Sequence, residues 1–214
     1  MSEAAPLAPA RPRSGAADLA RIAIFAAVIA VLGLPGSFTI LGPVPITAQT
    51  LGVMLAGAIL GPWRGAASVG VFLLLTAIGA PLLAGGRGGI GVFLAPSAGY
   101  LVGWLPAAFV IGALVHAGRR RPTVLRTFAA NVVGGILVVY AIGIPVQSIL
   151  TRMPLGETAL TSLIYLPGDL TKAVIATTVV MALVTGYRRA FPVEWNDAPR
   201  RTPRAASVDG SSRR

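Results

Sequence analysis

Two charged side chains stand three residues apart inside the last long apolar stretch of the chain. Asp169 and Lys172 belong to the run Pro167-Gly168-Asp169-Leu170-Thr171-Lys172, and this spacing places both on one face of a helix. An ionisable group at the centre of a membrane helix costs roughly 2.5–3.5 kcal/mol on insertion scales. The pair therefore indicates either a structural tie to a neighbouring helix or a site that binds a polar solute.

The composition around this pair is typical of an integral membrane protein. Of 214 residues, 55% are hydrophobic and 12% are charged, and the mean hydropathy is +0.77. An average soluble domain carries about 25% charged residues. The net charge of +11 comes from basic residues at segment ends and in the tails, which indicates membrane loops and argues against nucleic-acid binding. The absence of cysteine excludes disulfides and thiolate metal sites.

Apolar runs separated by Gly- and Pro-rich turns predict an all-α integral membrane protein with six transmembrane helices. The predicted spans cover residues 16–34, 46–60, 65–78, 97–116, 127–150 and 159–187. We expect one six-helix domain over 16–190, with disordered basic tails at 1–15 and 191–214. The second and third spans are shorter than the roughly 20 residues of a straight crossing, so bends are expected there.

The positions of the arginines predict the orientation of the chain in the lipid bilayer. With both termini inside, fifteen arginines fall on inner segments and tails, whereas only Arg87 and Arg152 fall in outer loops. Inner loops carry the excess of Lys and Arg in membrane proteins. We therefore expect a multi-pass membrane protein with cytoplasmic termini.

This orientation gathers polar residues in the outer half of the protein. Asp169 and Lys172 would lie roughly 10–15 Å inside the protein from its outer surface, at about 1.5 Å per residue. Other candidates for a substrate-binding site are Thr47, Gln49, Arg87, Ser97, Tyr100 and Tyr140. Together they predict a polar pocket open to the outside and roofed by the loops 35–45 and 79–96.

Several of these residues also have a structural interpretation. Thr47 could cap the second helix, and Gln49 could form hydrogen bonds across helices. Tyr100 could belong to the interfacial aromatic belt, Arg87 could be a solvated loop charge, and Tyr140 could simply pack.

Other functional classes find little support in the residues. The glycine run 85–91 is not a nucleotide loop, because no Gly-Lys-Ser/Thr follows it. It permits a tight loop, in which backbone N–H groups could face an anion. We find no Ser–His–Asp set, no His/carboxylate metal cluster and no repeated selectivity filter, so we expect neither catalysis nor a metal. The residues favour a small membrane protein that binds a solute from outside.

Motifs along residues 20–188 resemble those of the BioY family, the substrate-binding (S) components of energy-coupling-factor (ECF) biotin transporters. They are residues 45–51 (PITAQTL), 60–66 (LGPWRGA), 79–81 with the glycine run, 96–103 (PSAGYLVG) and 167–172 (PGDLTK). The family usually has Pro-Thr-Gly-Gly-Tyr where this chain has Pro-Ser-Ala-Gly-Tyr. The change keeps the hydroxyl and adds one methyl group.

The resemblance implies a six-helix S-component fold that captures biotin from the outer side and needs no cofactor. Asp169 would accept hydrogen bonds from the ureido N–H groups of biotin, and Lys172 would donate to the ureido carbonyl. Gln49 and Tyr100 would add hydrogen bonds. The carboxylate would suit Arg87 or the amides of the glycine run.

The resemblance also implies protein partners, namely a transmembrane scaffold subunit and two ATP-binding-cassette (ABC) ATPases. ATP hydrolysis would belong to those ATPases. S components of this kind dock through an Ala-x-x-x-Ala pattern on the first helix, which Ala23 and Ala27 match. Ala26 and Ala30 form a second step of small residues, and packing inside the bundle is the alternative for the whole set.

Two other functions stay open. The first is an S component for another vitamin, such as thiamin or riboflavin; a thiamin site would need aromatic stacking for a cation, and the candidate site is poor in Trp. The second is a small integral membrane enzyme that uses Asp169 and Lys172 on a lipid. That function predicts polar groups near the inner or interfacial level and a metal cluster.

Overall fold

The computed structural model describes residues 15–36, 44–119 and 121–186, and these residues are mainly helical. The described part holds no β-strand, only an isolated bridge between Leu83 and Arg87. The predicted tails, apart from Gly15, and most of the predicted roof loop 35–45 lie outside the described residues. The prediction of an all-α fold is confirmed.

Six helical segments follow one another along the chain. The first four are single helices, α1 Gly15–Val31, α2 Gln49–Leu60, α3 Pro62–Ala77 and α4 Ala98–His116. The fifth segment joins α5 Val124–Val132, a π-helical turn Val133–Val138 and α6 Val139–Thr151. The sixth joins α7 Leu155–Ser162, a 3₁₀ turn Leu163–Tyr165 and α8 Leu166–Gly186.

Three of these segments are long and apolar enough to cross a membrane, Ala98–His116, Val124–Thr151 and Leu155–Gly186. The α2 helix is apolar but has only 12 residues. Large apolar side chains are exposed around the bundle, among them Leu34 (80% exposed), Leu125 (77%) and Ile149 (75%). Exposed apolar side chains in this number suit lipid rather than water.

The turn between α2 and α3 is shorter than the sequence suggested. Gly61 has a φ of +84° and Pro62 follows as the first residue of α3, where the missing N–H of proline costs nothing. The third predicted span began at 65, so that boundary was wrong by three residues. Gly112 of α4 packs against this turn so closely that a Cβ there would lie 2.4 Å from Pro62 N. The small residue is what lets α4 approach the turn.

The sixth segment is irregular before Pro167 rather than at it. The 3₁₀ turn covers Leu163–Tyr165, and α8 begins at Leu166. Pro167 and Gly168 therefore lie in the first turn of α8, where proline is tolerated. The helix is continuous through Pro167-Gly168.

The helix directions divide the bundle into two ends. The starts of α2, α4 and α8 meet the loop 79–96 at one end, which we call the pocket end. At the opposite end, Arg64 donates to Asp18 over 2.8 Å and joins the starts of α1 and α3. Gly15 and Gly186, where the described chain begins and stops, both belong to that opposite end.

Candidate ligand-binding site

A cavity at the pocket end contains about 630 Å³ of empty space, including its mouth. The cavity is lined by all eight residues that the sequence proposed for substrate binding, Thr47, Gln49, Arg87, Ser97, Tyr100, Tyr140, Asp169 and Lys172. The fold thus brings together residues that lie more than 120 positions apart in the chain.

Asp169 forms the polar centre of the cavity. Its Oδ1 lies 2.9 Å from Lys172 Nζ, and its Oδ2 accepts a hydrogen bond from the Tyr140 hydroxyl over 2.8 Å. The residue is only 7% exposed, so these two donors compensate for the loss of water around its charge. Each carboxylate oxygen retains a lone pair for a further donor.

The Asp169–Lys172 pair does not tie two helices together, because both residues belong to α8. The tie between helices is the hydrogen bond from Tyr140 of α6. Both charged side chains line the cavity and are mostly buried, with 10% and 14% of the side chain exposed. Asp169 and Lys172 therefore contact each other first and still present polar atoms to the cavity.

Gln49 is bonded across helices, as one of its two interpretations predicted. Its Nε2 donates to Ile29 O over 3.3 Å and to Leu82 O over 3.0 Å, and its Oε1 accepts from the amide of Ala84 over 3.2 Å. The residue is 1% exposed. Most of its hydrogen-bonding capacity is used by backbone groups.

Tyr100 also uses its hydroxyl inside the protein. The hydroxyl donates to Gln147 Oε1 over 2.8 Å and lies 3.0 Å from Ser162 Oγ. Its ring meets that of Tyr140 edge to face, with centroids 6.1 Å apart. At 7% exposure it is not a residue of the interfacial belt. It offers the cavity mainly an aromatic surface.

The glycine run forms a tight turn that carries Arg87 to the cavity. Leu83 and Arg87 exchange two backbone hydrogen bonds of 3.0 and 3.2 Å, and between them Gly85 and Gly86 have φ values of +79° and +69°. Arg87 lines the cavity and is exposed, so it lies at the mouth. Its Nε donates to Ala84 O over 3.3 Å.

The amides of this turn are directed inward. The N–H of Ala84 bonds to Gln49, that of Arg87 to Leu83 O, and that of Gly89 to Thr76 O over 2.7 Å. Within the run 85–91, the expectation that backbone amides face an anion is therefore wrong for Arg87 and Gly89. The guanidinium of Arg87 lies at the mouth and suits an anion better than these amides do.

Thr47 and Ser97 have smaller roles in the observed geometry. The Thr47 hydroxyl accepts from the amide of Gln49 over 3.3 Å, close to the helix-capping interpretation, and it also lines the cavity. Ser97 precedes α4 and is 7% exposed. Both residues add hydroxyl groups to one wall of the cavity.

The sequence interpretation missed two aromatic residues of the site. Trp104 and Tyr165 line the cavity and are 5% and 8% exposed. Each lies one helical turn from a predicted residue, since Trp104 follows Tyr100 by four positions and Tyr165 precedes Asp169 by four. That periodicity could have identified them. The site, expected to be poor in Trp, holds Trp104 and three tyrosines, so the argument from its few Trp residues against a cationic ligand is weaker.

Only two of the four alanines in the predicted docking surface on α1 are exposed. Ala23 and Ala27 are exposed on one face of the helix. Ala26 is 5% exposed and belongs to the core, and Ala30 packs against the same core. The prediction is wrong for Ala26 and unsupported for Ala30, because these residues point toward α2 and α3 and not away from the bundle.

No group of three or more His, Cys, Asp or Glu side chains that could hold a metal ion occurs in the ranges that the structure describes. The apolar exterior and the enclosed polar cavity at one end define a helical membrane protein with a binding site for a small solute.

Comparison with known proteins narrows this class to one family. The BioY family model matches residues 4–189. The probable biotin transporter BioY of Bacillus subtilis is 52% identical over 160 residues, which cover 74% of this chain and 86% of that protein. The biotin transporter BioY of Rhodobacter capsulatus is 45% identical over 176 residues, 78% and 92% of the two chains. This chain belongs to the BioY family.

A solved structure agrees with this assignment. The crystal structure of the S-component for biotin from an ECF-type ABC transporter superposes with a TM-score of 0.76 at 32% identity, and the match covers 86% of this chain and all of that one. The expected S-component fold is therefore confirmed. The matched relatives are transporters, so the alternative of a lipid-modifying enzyme is set aside.

Proposed function

We propose that this chain binds biotin from outside the cell and takes part in its uptake as the substrate-binding subunit of an ECF-type transporter. Membership of the BioY family is the observation that carries the proposal. The cavity supports it, because a buried carboxylate with two fixed donors stands among aromatic and apolar walls. Such a site suits a ligand with a small polar ring and an apolar body.

The proposed pose follows the polarity of the cavity. The ureido N–H groups donate to the two oxygens of Asp169, and Lys172 donates to the ureido carbonyl. The ring system and the aliphatic chain lie against Trp104 and Val139, and the carboxylate extends toward Arg87 at the mouth. In this pose Gln49 and the Tyr100 hydroxyl serve the ligand indirectly, because other groups of the protein already occupy them.

We also propose that the pocket end faces outward, with both termini in the cytoplasm of a bacterial cell and six crossings of its membrane. The exposed pair Ala23 and Ala27 then forms the docking surface for a transmembrane scaffold subunit, with which two ABC-type ATPases associate. Small residues at such a surface let a second helix approach closely. The chain has no catalytic role of its own.

Calorimetry on the purified protein tests the ligand. We expect wild type to release heat with biotin at micromolar concentration. Asp169→Asn should weaken binding by at least about tenfold, because it removes a charged acceptor. Thr171→Val is the matched control on α8, since that hydroxyl is exposed and bonds to Pro167 O of its own helix. No heat from wild type would overturn the proposal, and heat with thiamin alone would favour another vitamin.

A further inference from the structure

Gln49 joins three separate parts of the fold through one side chain. Its amide bonds to Ile29 of α1, and to Leu82 and Ala84 of the turn that precedes Arg87. We propose that Gln49 is a positioning residue, which holds the turn 82–87 in the place where Arg87 reaches the cavity. This inference rests on the proposed function, because Arg87 is the group assigned there to the ligand carboxylate.

The hydrogen-bonding capacity of the amide supports a positioning role over ligand contact. A glutamine side chain has two N–H donors and one carbonyl oxygen. Both donors of Gln49 are directed at backbone carbonyls, and the oxygen accepts a backbone N–H. The ligand could reach only the remaining lone pair of the oxygen, in a residue that is 1% exposed.

Few hydrogen bonds attach the turn to the bundle, although the side chain of Leu83 is buried in the apolar core. Two backbone hydrogen bonds between Leu83 and Arg87 close it, but they do not attach it to the bundle. One limb is attached by the Gly89 amide, which donates to Thr76 O of α3. The hydrogen bonds that attach the other limb, from 82 to 84, to the bundle are those of Gln49. Ala84 is fully buried at this contact.

The residues that follow α1 lie directly against the three side-chain hydrogen bonds of Gln49, which we call the clamp. Gly33 packs so closely that a Cβ there would lie 2.9 Å from Gln49 Nε2 and 3.0 Å from Leu82 O. Gly33 does not line the ligand cavity. A methyl group at this position would therefore disturb the clamp without removing any group that faces the ligand.

Amide hydrogen exchange on the ligand-free protein in detergent tests the clamp. Gln49→Leu keeps the size of the side chain and removes all three hydrogen bonds. We expect exchange across 82–87 to accelerate by at least about tenfold, since three bonds of modest net strength are lost. Gly33→Ala should accelerate exchange in the same residues. Gly91→Ala is the matched control, because a Cβ there meets no atom within 4 Å.

Biotin affinity gives the second readout. Gln49→Leu should lose affinity in a background that retains Arg87 and lose little more in an Arg87→Gln background, because one residue acts through the other.

If both Gln49→Leu and Gly33→Ala leave exchange in the turn unchanged, the inference is overturned, and a loss of affinity would then make Gln49 a direct ligand contact. If Gln49→Leu does not fold, Gly33→Ala decides alone. The exchange result stands whether or not wild type binds biotin, so the two proposals fail separately.

Discussion

Inside the bundle, two donors contact the carboxylate of Asp169, one on each oxygen. The donors come from different helices, Lys172 from α8 and Tyr140 from α6. The carboxylate is thereby oriented before a ligand arrives, and preorganisation of this kind reduces the cost of binding. The role of each residue in the site follows from what it already contacts. In the proposed pose, residues with spare hydrogen-bonding capacity face the ligand, and residues whose capacity is mostly used hold the others.

Tyr140→Phe tests how far this orientation contributes. The change removes one hydrogen bond to a charged acceptor, so we expect biotin affinity to fall about tenfold, ~1.5 kcal/mol. In an Asp169→Asn background the same change should have little further effect, because the hydroxyl acts through that carboxylate. Calorimetry on the four proteins of this cycle measures the coupling, and additive losses would contradict it.

Arg87→Gln tests which end of biotin lies at the mouth. Affinity for biotin should fall about tenfold with the loss of a charged hydrogen bond, whereas affinity for biotinamide, which has no carboxylate, should stay nearly unchanged. Arg152→Gln is the control, since this arginine also follows a helix at the pocket end but does not line the cavity. Equal losses for both ligands would place the carboxylate elsewhere.

Among the elements, the fifth segment departs most from a regular helix, and it does so beside the cavity. Its π turn contains Gly134 and Gly135, and a Cβ at Gly135 would lie 2.3 Å from Met54 Cε. The extra residue in the turn shifts the face that α6 presents from Val139 onward. A π turn inside an α-helix is frequent at functional sites. Here it precedes the two cavity residues Val139 and Tyr140.

Gly143→Ala tests the packing of α6 against α4. A Cβ at Gly143 would lie 2.5 Å from the ring of Tyr100, so the ring must move and its bonds to Gln147 and Ser162 must break. We expect a loss of about 2 kcal/mol from overpacking, visible as a lower Tm in detergent and as weaker biotin binding. Gly156→Ala, with no atom within 4 Å, should leave both values unchanged.

For the whole molecule, the two ends differ in function. The pocket end holds the cavity and the turn of Arg87, and the opposite end holds the Asp18–Arg64 pair and a cap on α4. In that cap the guanidinium of Arg126 donates to Leu114 O over 2.7 Å and to Ala117 O. Basic residues near a helix carboxyl terminus stabilise its unpaired carbonyls. Arg64 and Arg126 therefore have structural partners in addition to their place in the predicted orientation.

Cysteine labelling tests that orientation, and the cysteine-free chain gives a clean background. Gly156→Cys at the pocket end should react with a membrane-impermeant maleimide in whole cells. Gly15→Cys at the opposite end should react only after the cells are made permeable. The reverse pattern would mean that the cavity opens to the cytoplasm.

Ala23→Trp tests the docking surface. The indole would prevent close approach of a second helix, so co-purification with a scaffold subunit should be lost while biotin affinity is kept. Val174→Trp, at a 53% exposed position on α8, is the control for a bulky residue on the outer surface. If Ala23→Trp still co-purifies with the scaffold, the docking surface lies elsewhere.

Sequence alone indicated the membrane class, the helical segments and eight of the residues that line the cavity. These features can be predicted from the sequence because apolar composition and the cost of burying a charge are properties of the chain itself. The motifs also resemble those of a known family. The predicted helix boundaries were less accurate near proline, because proline occurs both in the first turn of a helix and where a helix breaks.

Only the tertiary structure decided what each of those residues does. Gln49 is saturated by groups 20 to 35 positions away, Ala26 is turned into the core, and Trp104 faces the cavity. Each of these depends on how one helix is rotated against its neighbours, which local pattern does not specify. Asp169 and Lys172 stood out in the sequence as a costly pair. The fold shows that Tyr140, from another helix, completes their hydrogen bonding and leaves them facing a cavity.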